Sequence, residues 1–238
     1  GVQTCALPIS HGLGHPPIWV ACGNVDTYTK AGKHGIGAIA FNFEPIHNLK
    51  GRIAAYKEAV ENPDDQIGQY RNNNVMMTNA CICLEDRDRA REIAKKRTGY
   101  RVTMVNLYHD TMPKSPDARV WPTPPIKVEW TDEMLDMAIE GGYMLCGNPE
   151  EVCEQLVRYQ SVGCDQVAFG VPDEGYTHDE VLEMIEVFGN QVIPEFDRDP
   201  VHSTTRFRQQ AQRRYPDFQY PVPSEVDGAE PPFFAVRV

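Results

Sequence analysis

Residues 16–27 read Pro-Pro-Ile-Trp-Val-Ala-Cys-Gly-Asn-Val-Asp-Thr, and this stretch decides the fold. Its apolar run over 18–22 has the length and the aromatic and β-branched content of a short buried strand. The run stops at Gly23-Asn24, a turn signal, and leads straight into a helix. A strand that runs straight into a helix gathers unpaired backbone N–H groups at one point. Gly23 lets the backbone approach a ligand closely, and Asn24 and Thr27 add side-chain donors. These are the ingredients of a phosphate cradle, and the helix N-terminus favours negative charge by about 0.3–1 kcal/mol. Asp26 works against it, since a carboxylate beside a phosphate is repulsive, unless it caps the helix and points away. The same residues also fit a plain helix cap with no ligand.

Working outward, strand and helix signals alternate. The run Gly-Ala-Ile-Ala-Phe over 37–41 follows one helix (26–34) later, so the cradle sits in a βαβ unit. A helix over 48–61 puts Leu49, Ile53, Tyr56 and Val60 on one face. The nearly continuous apolar run 75–84 predicts a strand buried on both sides, and 85–97 a charged helix with Ala90, Ile93 and Ala94 inward. Asn148-Pro149-Glu150-Glu151 is a capping-box helix start, with Val152, Leu156 and Tyr159 on the inner side. A strand over 165–171 and a helix over 177–190 complete the pattern. Residues 98–130 break it, with Pro113, Pro116, Pro122, Pro124 and Pro125, and read as an irregular insertion. Residues 1–10 do not read as the start of a domain and are expected to be a non-native leader. Residues 197–238, without period, are expected to be a mostly disordered tail. Four strands, each followed by a helix, imply a parallel sheet with right-handed crossovers. An open doubly wound sheet and half of an eight-stranded βα barrel both satisfy that pattern.

Composition narrows the function. A net charge of −11 argues against nucleic acid or an anionic membrane as partner. No apolar run reaches the roughly 18–20 residues of a membrane span, and residues 1–10 lack the features of a secretory signal. A cytoplasmic location is the default expectation. The seven cysteines show no metal-ligand spacing and read as free, reduced thiols, so no metal is expected.

Three stretches together resemble the bacterial-luciferase-like family of flavin-dependent oxidoreductases. They are 16–21 with its polar turn, Ala31 and Gly37-Ala38-Ile39; 146–152 with Leu156 and Tyr159; and 163–167 leading to His178, Val181, Leu182, Met184, Phe188 and Val192-Ile193-Pro194. The resemblance runs over roughly residues 16–196 of the domain expected at 11–196. It implies an α/β fold, the C-terminal half of a (βα)8 TIM barrel with four parallel strands. It also implies a reduced flavin at the C-terminal mouth: FMN used with molecular oxygen, or alternatively a deazaflavin. Carried over residue by residue, the flavin phosphate falls to Gly23, Asn24 and Thr27. The insertion 98–130 resembles the place where members of that family carry a mobile active-site loop. Phe41, Asn79 and Phe169 are weaker cavity candidates, for which ordinary packing is the competing reading. His109 matches no motif and reads as solvated loop, and His178 reads as a cap at the start of the last helix rather than a catalytic residue.

The resemblance implies that the family's catalytic strands correspond to a stretch ahead of residue 16, so no catalytic residue is expected among those that follow. The expected activity is therefore a flavin-dependent monooxygenase acting on a small organic substrate, represented by half of its barrel and inactive alone. A separate flavin reductase and a homo- or heterodimeric full-length protein are expected as partners. The alternatives are a deazaflavin-dependent reductase or dehydrogenase, and a non-catalytic βα domain acting through Tyr215, Phe218, Tyr220 and the neighbouring arginines of the tail.

Overall fold

The computed structural model describes residues 17–41, 45–68, 71–96, 128–170 and 175–198. The expected leader, His109, nearly all of the insertion at 98–130 and all but two residues of the tail lie outside them. Five strands and seven α-helices are present among the described residues. In chain order they are β1 (Trp19–Cys22), α1 (Val25–Lys33), β2 (Gly37–Phe41), α2 (Leu49–Glu61), β3 (Val75–Cys83) and α3 (Arg87–Lys95). There follow α4 (Asp132–Glu140), β4 (Met144–Gly147), α5 (Pro149–Ser161), β5 (Gln166–Gly170), α6 (His178–Val187) and α7 (Ile193–Phe196). The fold is α/β, a parallel sheet with flanking helices. None of these helices is long and apolar enough to cross a membrane.

The chain divides into two compact units, one comprising 1–40, 51–76 and 199–238, the other 41–50 and 77–198. In the first unit β1 and β2 run parallel, Trp19 opposite Gly37 and Cys22 opposite Ala40. The Ala38 N–H donates to the Asn74 carbonyl at the entrance to β3. Ile53, Tyr56 and Val60 are buried, as their helical spacing predicts. Helices α1 and α2 touch closely because residue 32 is glycine: a Cβ there would lie 2.6 Å from that of Ala59. The Tyr56 hydroxyl lies 2.8–3.1 Å from the carbonyls of Ile36, Asn72 and Asn74, which compete for its single proton. The side chain of Asn72 donates to Ile18 O at 3.1 Å. Buried Asn72, Asn73 and Asn74 thus close the strand entrances with satisfied polar groups rather than apolar ones.

In the second unit β3 and β4 pair in parallel, Ala80 opposite Met144 through Cys83 opposite Gly147, and β5 also pairs with β3. The core joins Ile82, Leu84, Ala90, Ile93, Ala94, Leu135, Met144 and Met184. Strand β4 is a difference from the four strands expected. Its four residues, Met-Leu-Cys-Gly, are too short to show a period, and they sit between a Gly-Gly turn and a helix cap. One edge of β4 is held by a side chain: Gln155 of α5 accepts from Cys146 N and donates to Cys146 O, both at 2.9 Å.

The closing helix also differs from expectation. It does not end at 190 but passes through a π-turn, Phe188–Val192, into α7. Pro194 has no N–H to give Asn190 O, so the i→i−4 ladder cannot continue there. Instead the Ile193 N–H donates to Phe188 O, one residue farther back.

Ion pairs tie α3 to its neighbours. Arg87 meets Glu151, Arg89 meets Glu183, Arg91 meets Asp136 and Lys96 meets Glu180, at 2.5–2.7 Å.

Candidate functional site

The turn after β1 is built as a helix cap. Asn24 has extended backbone and its Oδ1 accepts from the Thr27 N–H and from the Thr27 hydroxyl, both at 3.0 Å. The structure therefore brings together two of the three expected phosphate ligands, but it satisfies them against each other. The Thr27 hydroxyl proton points at Asn24 rather than outward, and its role becomes fixing the Asn24 rotamer.

What remains for a ligand is the Asn24 side-chain NH2 and the backbone N–H groups of Val25 and Asp26, none of which has an acceptor among the described residues. Gly23 is exposed, and a Cβ on it would meet nothing within 4 Å. Because β1 and β2 are parallel and in register, this turn lies at the carboxyl end of both strands, where ligands gather in parallel α/β folds. Three unused donors around open space fit one phosphate group. Asp26, exposed in the first turn of α1, lowers the local potential, and the cations of α1, Lys30 and Lys33, lie in its last turn.

The weaker candidates fall elsewhere. Asn79 is buried; its amide donates to Gly142 O at 2.8 Å and to the Tyr159 hydroxyl at 2.6 Å, and Tyr159 donates to the same carbonyl at 2.6 Å. Its work is to hold the α4–β4 turn against α5. Burial pushes the Tyr159 hydroxyl up to about 12, so it stays a proton donor. Phe169 packs edge-on against Phe188 with centroids 5.0 Å apart, which is ordinary aromatic packing. The backbone of Phe41 ends β2, and its side chain lies outside the described residues. Thr177, not His178, caps α6 in a full capping box with Glu180.

At the carboxyl ends of β3 and β4, Gly147 has φ +147°, and the Glu151 carboxylate fills the space beside it. That carboxylate accepts from Asn148 N at 3.1 Å and from Arg87 Nε at 2.6 Å. A cavity of about 190 Å³ lies alongside, lined by Arg87, Arg91, Asp136 and Glu151 among others. Its guanidinium groups are already paired with its carboxylates, so it is a seam of the ion-pair network. The described cysteines are free thiols. Burial pushes Cys22 up to about 11 and Cys83 to about 12, which keeps both protonated and unreactive at neutral pH.

Gln155 is the residue the spacing argument passed over. It falls with Val152, Leu156 and Tyr159 at helical intervals on the buried face. A polar side chain at an apolar position was the available signal.

A family model described as luciferase-like monooxygenase matches residues 2–166. The chain belongs to that family. Among solved structures, this luciferase-like chain is similar to the monooxygenase RslO1 from Streptomyces bottropensis, with 16% identity over 76% of this chain and 49% of that one, at a TM-score of 0.52. It is similar to the oxygenating constituent of 3,6-diketocamphane monooxygenase from Pseudomonas putida, a structure in complex with FMN. There the identity is 14% over 76% and 49% of the two chains, at a TM-score of 0.54. The long-chain alkane monooxygenase LadA gives 15% identity over 88% and 48%, at a TM-score of 0.50. At these identities the likeness concerns the fold. The chain spans about half the length of these structures. No curated protein sequence matches it.

Proposed function

We propose that this luciferase-like chain serves a flavin-dependent monooxygenase, and that its own contribution is to hold the phosphate end of the flavin at the β1–α1 turn. The observation that carries the reading is the set of three unused donors, Val25 N–H, Asp26 N–H and the Asn24 amide, at the carboxyl end of a parallel strand pair. In this reading Gly23 allows close approach, and Thr27 locks Asn24 in the donating orientation through its two hydrogen bonds. Each hydrogen bond to a charged phosphate oxygen contributes about 1.5–3 kcal/mol. Reduced FMN, when bound, would supply the activation of molecular oxygen toward a small organic substrate. A separate flavin reductase would deliver it, and the working unit would be a homo- or heterodimer.

The donors would accept the phosphate of a deazaflavin in the same way, which leaves a reductase or dehydrogenase as the second reading. Titrating one preparation with FMN, riboflavin and a deazaflavin, followed by fluorescence, tests both. Micromolar-range FMN binding that weakens at least tenfold for riboflavin supports the proposal. Tighter deazaflavin binding selects the second reading, and no binding of any of them rejects both.

A further inference from the structure

We draw no further inference here: the strongest candidate, the exposed apolar residues Leu182, Ile185, Ile193 and Phe196 along the closing helical segment of the second unit, carries nothing because nothing in the structure shows what covers them.

Discussion

Replacing Gln155 by leucine tests whether a side chain really completes the edge of β4. The wild-type amide makes two hydrogen bonds of 2.9 Å to one buried residue, donating to Cys146 O and accepting from Cys146 N. Gln155 is 7% exposed and Cys146 is 3% exposed, so water is a poor substitute. Leucine keeps nearly the same volume but leaves an N–H and a C=O unsatisfied, each at about 1–3 kcal/mol. Added apolar burial returns about 1 kcal/mol. The net expectation is a loss of about 1–5 kcal/mol, a large part of a typical stability of about 5–15 kcal/mol. Urea unfolding followed by far-UV circular dichroism would show a lower midpoint with an unchanged slope. Gln155→Glu keeps the acceptor for Cys146 N but turns a carboxylate toward Cys146 O. It should therefore be more damaging at neutral pH than near pH 4. A leucine variant within about 0.5 kcal/mol of the parent, the range of surface substitutions, would refute the edge-closing role.

Further outcomes follow from named contacts. Asp26→Asn removes a carboxylate from the first turn of α1; at effective solvent dielectric this should strengthen FMN binding by about 1 kcal/mol, roughly fivefold, and the gain should shrink in high salt. A titration showing weaker binding would mean Asp26 helps rather than opposes the site. Lys95 holds the Asp132 carboxyl below its ordinary value, and Lys96 does the same for Glu180. Both carboxylates have folded-state values below their unfolded ones, so their stabilisation is present above the ordinary carboxylate range and is lost as pH falls through and below it. Thermal midpoints should be level from neutral pH to about pH 5 and then decline. A Lys95→Gln/Lys96→Gln variant should decline less steeply, and an identical profile would show that these pairs do not contribute to stability.

The alternation of strand and helix was legible because each element carries its own local signal. Leu49, Ile53, Tyr56 and Val60 repeat at helical spacing and are all buried. Asn148-Pro149-Glu150-Glu151 forms the capping box its residue types predict. What stayed hidden depends on partners distant in sequence. β4 is stabilised by β3, more than sixty residues earlier, and by a glutamine side chain. Asn79 stands on a strand like any pore-lining residue, but its partners are Gly142 and Tyr159, 63 and 80 residues away. At the candidate site the donor types were readable, whereas the pairing of Thr27 with Asn24 was not. A hydroxyl three residues past an N-cap can turn inward or outward, and only the helix geometry decides.

The proposed function rests on Gly23, Asn24 and Thr27 forming a phosphate-holding turn. Backbone amide resonances of residues 23–27, followed by NMR as FMN and then riboflavin are added, test it most directly. FMN should move the Val25 and Asp26 amides and the Asn24 side-chain NH2 in a saturable way, and riboflavin, lacking the phosphate, should leave them nearly in place. Equal shifts with both compounds, or FMN binding that leaves this turn untouched, would contradict it.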